Sequence, residues 1–242
     1  MTINTKTLAA IDIGTNAIRL FISNVEEYPT ETLFKKIAFL RVPIRLGEDV
    51  FTTGEIGQQK RKRLCETMQG FSYIMSAFNV ESYKAYATCA MREARNGKSV
   101  AEQIQKECDL NIEIISGTKE AETIFAGGMN EVVDDDKTYL YVDVGGGSTE
   151  VIVYSKSVKV EACSFPLGTV RMLNDAVDKE EMKHFKKWLK NITEKYTPDA
   201  IIGSGGNINK IHKLLNKKER ERITYQELDI LYEYMKSFNL EE

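Results

Sequence analysis

The sequence predicts an α/β protein made of two related lobes, and three observations carry that prediction. Short apolar, β-branched segments alternate with longer segments of helical period. A unit of apolar strand, Asp, Gly-led turn and second apolar strand occurs twice. Its two aspartates, Asp12 and Asp143, lie 131 residues apart, about half of the 242-residue chain. A chain of this length suits one large domain or two of about 120 residues. The repeat favours two, residues 1–120 and 121–242, with a cleft between them.

The first unit runs as a strand over 7–13, a turn opening at Gly14, and a strand to Ile22. A helix follows whose core face is Leu64, Met68, Phe71, Met75 and Phe78, at spacings of three and four. Residues 82–87 and 112–115 read as strands, and a helix beginning near Thr118 crosses into the second half. There the unit returns as a strand over 138–144, the turn Gly145-Gly146-Gly147-Ser148, and a strand to Val153. Met182, Phe185, Trp188 and Ile192 mark a helix, 199–203 a strand, and Ile208, Ile211, Leu214 and Leu215 a helix. The last helix opens on Thr224 with Glu227 three residues on, a capping box, and continues through Leu228, Leu231, Met235 and Phe238.

Composition excludes several classes. Hydrophobic residues at 42% and charged residues at 29% are globular proportions, not those of a disordered chain. No apolar run approaches the ~20 residues that cross a bilayer, and the N-terminus lacks a secretory signal. Cys65, Cys89, Cys108 and Cys163 form no CxxC pair, which argues against zinc ribbons and thioredoxin chemistry. A cytoplasmic protein with reduced thiols, bound to neither membrane nor DNA, is expected. The net charge of −3 hides an asymmetry: residues 183–222 carry 11 Lys/Arg and 4 Asp/Glu, a net of +7, leaving −10 elsewhere. Such a segment either steers a polyanion or forms the solvated face of amphipathic helices.

The glycine turns are not P-loops, because a strand pattern rather than a helix follows them. A strand–glycine turn–strand unit either directs backbone N–H groups into a nest for phosphate oxygens or is an ordinary hairpin turn. Thr15, Asn16, Ser148 and Thr149 add side-chain donors. Asp12 and Asp143 end their strands, where they either hold a hydrated Mg²⁺ against phosphate or cap the following turn. The loop Gly203-Ser-Gly205-Gly206-Asn207 adds a third glycine turn, read alone as a helix N-cap.

Together these segments carry a resemblance. AAIDIGTNAIRL (9–20), ATCAMREARNG (87–97), IEIISGTKEAETIFAGG (112–128), VDVGGGSTEVIV (142–153), FPLGTVRM (165–172) and IIGSGGN (201–207) resemble the exopolyphosphatase/guanosine pentaphosphate phosphohydrolase family, in family order. That family belongs to the actin–hexokinase–Hsp70 superfamily, which implies two ribonuclease-H-like lobes. The resemblance implies Glu120 as catalytic base for water and Glu150 as a second carboxylate at the reaction centre. It implies Asp143, with Asp12, at the metal, and Gly145, Gly146, Gly147 and Ser148 as a phosphate loop. Thr15, Asn16 and Arg92 match the other phosphate contacts. The bland alternatives are a helix-dipole acid for Glu120, a strand-edge charge for Glu150, and a surface partner of Glu93 or Glu122 for Arg92. His184 and His212 match no motif.

The chain departs from the family at Lys119, where an acid is usual, and at Ala17, where a serine is common. It stops at Glu242, before the C-terminal part of the second lobe, so a shortened lobe with an exposed apolar patch is expected. The expected activity is Mg²⁺-dependent release of terminal phosphate from polyphosphate or guanosine pentaphosphate, with a homodimer as a plausible state. The alternatives are a superfamily kinase or ATPase and a non-catalytic polyphosphate or nucleotide sensor.

Overall fold

The computed structural model describes residues 4–126, 134, 136–156, 158–218 and 221–238. The first half forms a five-stranded sheet of order β3-β2-β1-β4-β5, from β1 (Asn4–Ile13), β2 (Ile18–Glu27), β3 (Thr32–Val42), β4 (Ser82–Ala87) and β5 (Glu113–Ile114). β1 pairs antiparallel with β2 and parallel with β4. Alternate residues Ala9, Ile11 and Ile13 of β1, with Ile18, Leu20 and Ile22 of β2, enter one core. Helices α2 (Gln58–Ala77) and α4 (Gly97–Cys108) cover it with Leu64, Met68, Phe71 and Met75, and with Val100, Ile104 and Cys108. Phe78 leaves that stripe: α2 ends at Ala77, and Phe78 is its C-cap, 42% exposed. Between these elements lie α1 (Leu46–Thr53) and the short α3 (Cys89–Glu93).

α5 (Gly117–Ala126) leads to the second sheet, of order β8-β7-β6-β9 among the described residues. Its strands are β6 (Thr138–Val144), β7 (Thr149–Ser155), β8 (Val158–Phe165) and β9 (Ala200–Ser204). One face packs Tyr139, Tyr141, Ile152 and Tyr154 against Ala121 of α5. The other packs Leu140, Val151, Val153, Phe165 and Leu167 against α7 (Lys179–Tyr196), where Phe165 meets Phe185 and Trp188 edge to face. The short α6 (Thr169–Leu173) precedes α7.

α8 (Gly205–Leu214) and α9 (Tyr225–Lys236) have no buried residue. The capping box of α9 is formed, yet Leu228 is 40% and Ile230 71% exposed, and Ile201 on the neighbouring β9 is 68% exposed. Several large apolar side chains are therefore exposed at this end of the second sheet. All four cysteines are free thiols. Among the described residues no helix is long and apolar enough to cross a membrane.

Candidate active site

Both glycine turns are tight hairpins. Gly14 N–H donates to Ala17 O at 3.2 Å, and Gly145 N–H to Ser148 O at 2.9 Å. The two turns pack tip to tip. A Cβ on Gly146 would sit 3.0 Å from Thr15 Cγ2, and one on Gly147 would sit 2.6 Å from Cys89 Sγ and 2.9 Å from Thr15 Oγ1. Glycine here permits close approach of the two lobes. Thr15 is accordingly buried at their junction, whereas Asn16 is exposed beside it.

α6 orients the second turn. Thr169 N–H donates to Gly145 O at 3.0 Å, Val170 N–H to Gly146 O at 2.8 Å, and Arg171 Nε to Gly147 O at 2.9 Å. Because each peptide is planar with N–H opposite C=O, the N–H groups of Gly146, Gly147 and Ser148 point away from α6. Among the described residues none of the three has a protein acceptor. Backbone donors of such a turn can serve an anion.

Ser116 caps α5 by accepting Lys119 N–H at 3.1 Å, and Glu120 follows in the first turn. Gly117 lets α5 approach β8, since a Cβ there would lie 2.5 Å from Ser164 Oγ. Arg92, on α3, is anchored by donation to Ile115 O at 2.8 Å and reaches Glu120 Oε2 at 3.5 Å. This separation is an ion contact rather than a good hydrogen bond. Glu120 Oε2 is buried, and among the described residues Arg92 is its only polar contact, too long for a good hydrogen bond. Burial, the negative charge of Glu150 and, more weakly, Asp12 push the Glu120 carboxyl up to about 8, against the pull of Arg92. Glu93 and Glu122 take other partners, Arg171 and Lys159.

Glu150 on β7 is 2% exposed. Its Oε1 accepts from Ser164 Oγ at 2.8 Å. Burial raises its carboxyl above the ordinary range, while hydrogen bonds from Ser148 and Ser164 oppose the rise. Directly across the ladder sits Asp143, itself raised by burial and by Asp12 and lowered by Arg19. Gly205, at φ +93°, meets Asp143 at the start of α8: a Cβ would lie 2.5 Å from Asp143 Oδ1. Asp12 accepts from Arg19 Nη1 at 2.5 Å. Burial raises the Asp12 carboxyl and Arg19 draws it back. The side chain keeps 43% of its surface open, so water at the cleft mouth limits the rise.

These elements bring Asp12, Glu120, Asp143 and Glu150 within electrostatic reach of one another, with Arg19 and Arg92 as the cations among them. The Ppx/GppA phosphatase family matches residues 22–242. The chain belongs to that family. It is 32% identical over 168 residues to the bifunctional 3-dehydroquinate synthase/phosphatase of Fusobacterium nucleatum, covering 68% of this chain and 25% of that protein. It is 28% identical over 170 residues to exopolyphosphatase 2 of Mycobacterium tuberculosis, covering 68% of this chain and 53% of that one. The chain thus spans a quarter of the first relative and about half of the second. The crystal structure of an exopolyphosphatase from Cytophaga hutchinsonii superposes with a TM-score of 0.77 at 25% identity, covering 91% of this chain and 73% of that one. The fold of this Ppx/GppA protein is that of the actin–hexokinase–Hsp70 superfamily.

The donor set suits a hard divalent cation. Mg²⁺ takes one or two protein carboxylates and fills its remaining positions with water and substrate phosphate. Asp143 accepts no hydrogen bond among the described residues, and Asp12 comes from the facing lobe. No group of three or more His, Cys, Asp or Glu that could hold a metal ion is gathered among the described residues.

Two arginines join the site that the motifs did not single out. Arg19 was readable, because a turn pairing Ile13 with Ile18 places Asp12 opposite Arg19. Arg171 was not. It is 9% exposed, and its Nη2 lies 2.7 Å from both carboxylate oxygens of Glu93 and 3.5 Å from Cys89 Sγ, with its guanidinium 4.1 Å from the Phe51 ring centroid. One side chain thus ties the glycine turn of the second lobe to α1 and α3 of the first. Beside it, Cys89 is an inert thiol, pushed up to about 12 by burial and by Glu93.

Proposed function

We propose that this cleft hydrolyses the terminal phosphoanhydride bond of inorganic polyphosphate, with guanosine pentaphosphate as a second substrate of the same chemistry. The reading rests on one observation above all: Glu120 Oε2 is buried, has only the 3.5 Å ion contact with Arg92 among the described residues, and belongs to a carboxyl pushed up to about 8. A carboxylate with that proton affinity is suited to accept a proton near neutral pH.

Water placed between Glu120 and the terminal phosphorus loses its proton to Glu120 as its oxygen bonds to phosphorus. The bond to the bridging oxygen breaks, and that oxygen remains on the shortened chain as orthophosphate departs. The free N–H groups of Gly146, Gly147 and Ser148 cradle the terminal phosphate, and Arg92 and Asn16 flank it. Glu150, fixed by Ser148 and Ser164, orients the water and keeps the Glu120 proton affinity high. Asp143 and Asp12 would hold Mg²⁺, which when bound supplies positive charge for the phosphate oxygens. Phosphoryl transfer depends mainly on such positioning and neutralisation.

The test is phosphate release from polyphosphate in ¹⁸O-labelled water. One label per orthophosphate, lost in Glu120→Gln, is the expected result. Polyphosphate binding without release would instead make the protein a sensor, and transfer to an added acceptor would make it a kinase.

A further inference from the structure

Resting on that reading, we propose that α3 sets the distance between the terminal phosphate and Glu120, with Glu93 and Arg171 as its positioning residues. α3 is only five residues long, Cys89–Glu93, yet its side chains reach both halves of the site. Arg92 contacts Glu120 Oε2 at 3.5 Å. Glu93, the next residue, accepts from Arg171 Nη2 at 2.7 Å on each carboxylate oxygen. The same guanidinium donates from Nε to Gly147 O at 2.9 Å. Gly147 O shares its planar peptide with Ser148 N–H, so this bond fixes the direction of a donor assigned to the phosphate. Cys89 supports the link from within the helix. Its Sγ donates to Glu93 Oε1 at 3.3 Å, and a Cβ on Gly147 would lie 2.6 Å from that sulfur.

α3 itself is fixed to the first sheet. Ala90 and Met91 are buried in the first core, Thr88 N–H donates to Ile13 O at 3.1 Å, and Ile115 N–H donates to Ala87 O at 2.9 Å. On the other side of the cleft, α6 bonds the carbonyls of Gly145 and Gly146 through its backbone. Those bonds lie wholly within the second lobe and leave the distance to the first lobe open. Among the described residues only Arg171 bonds the Gly147 carbonyl, and it alone carries the connection on to Glu93. Two adjacent residues of one short helix thus address the base and the phosphate turn together. Each lobe can fold correctly and still stand out of register with the other. An error of about 1 Å in the reacting geometry costs about 10²-fold in rate. The pair Glu93–Arg171 removes that error.

The experiment compares Arg171→Lys, Glu93→Gln and the double variant in the full chain, assayed on polyphosphate where circular dichroism shows each to be folded. Lysine keeps the charge, but its single nitrogen cannot serve Glu93 and Gly147 O together. Glutamine leaves Arg171 in place with one oxygen to bond. For Arg171→Lys, kcat is expected to fall about 10²-fold while KM stays within about three-fold, the signature of lost alignment rather than lost binding. Glu93→Gln should lose less, again in kcat, and the double variant should be no worse than Arg171→Lys, since the two act as one unit. A purely structural pair would leave kcat of the folded protein unchanged, and that result overturns the proposal. So does a loss carried by KM, or losses that multiply in the double variant. Hydrogen exchange supplies a readout that needs no turnover: in Arg171→Lys, residues 88–94 and 144–148 should lose protection together while α2 keeps its own. If the wild type releases no phosphate, the proposed reaction falls and this exchange decides for the pair. Joint loss upholds the coupling of α3 to the glycine turn, and unchanged protection of either segment overturns it.

Discussion

Across the first hairpin Asp12 faces Arg19; across the second, at the same ladder step, Asp143 faces Glu150. The duplicated scaffold delivers the same positions in both lobes, and the substituted charge divides the labour. The first hairpin is neutralised internally, because Arg19 holds Asp12. The second places two like charges side by side and softens them with Ser148 and Ser164. The second hairpin thus keeps the less neutralised pair of carboxyls. The supporting sheets differ as well. The first buries a continuous core between its strands, α2 and α4, while α8 and α9 of the second half bury no residue.

The largest effect that can break this comparison is at the two aspartates. Chelation of divalent cations, or Asp143→Asn at metal levels that saturate the wild type, should abolish phosphate release. Asp12→Asn should cost much less, since Arg19 already neutralises that position. Equal losses in a magnesium titration would mean that both hairpins share the ion evenly. Next comes Glu120→Gln, for which turnover should drop about 10²–10⁴-fold with little change in substrate affinity. Wild-type turnover in a folded Glu120→Gln protein would remove it as the base.

The same carboxyl gives a pH signature. With its folded value near 8 and its unfolded value in the ordinary range, the native state binds the extra proton between those limits. Its contribution to stability is therefore full at low pH and is lost as pH rises through about 8, while turnover rises over the same span. Urea titrations at pH 6 and 9 should show this loss for the wild type, and Glu120→Gln should flatten it.

A smaller effect probes how the lobes are joined. Arg171→Met leaves Glu93 without its ionic partner and Gly147 O without its Nε donor, at a cost of about 1–3 kcal/mol in urea unfolding. Phosphate release should fall along with it, because the glycine turn loses its tie to α1 and α3. A variant as stable and active as the wild type would show that Thr15 and the glycines alone set that contact. The smallest expected difference is in hydrogen exchange. Residues 138–153 should exchange faster than 7–22, in keeping with the uncovered end of the second sheet. Equal protection in a monomer would show that the exposed face of α8 and α9 costs the second lobe nothing.

Much of the fold was legible along the chain because hairpins and amphipathic helices are local. β1, β4, β6 and β9 lie where apolar runs placed them, and the capping box marks the start of α9. β3 escaped notice because it is an edge strand with little buried surface: Phe34 is 69% and Phe39 55% exposed, with no inside–outside alternation along its first half. α4 packs only Val100, Ile104 and Cys108 inward, a stripe too sparse to stand out from its polar surroundings. Phe78 continued the period of α2 in sequence, but the helix stops one residue earlier.

Spacing along the chain is enough to close two hairpins, to set Asp12 against Arg19 and Asp143 against Glu150, and to put Glu120 in a helix's first turn. Those relations span a few residues and follow from ladder register and helical period. That Glu120 Oε2 is buried near Glu150, that Thr15 is sealed between the turns, and that Arg171 reaches Glu93 across 78 positions are facts of the assembled lobes. Proton affinity depends on the charges and solvent around a group, and only packing brings residues from distant parts of the chain into that surrounding.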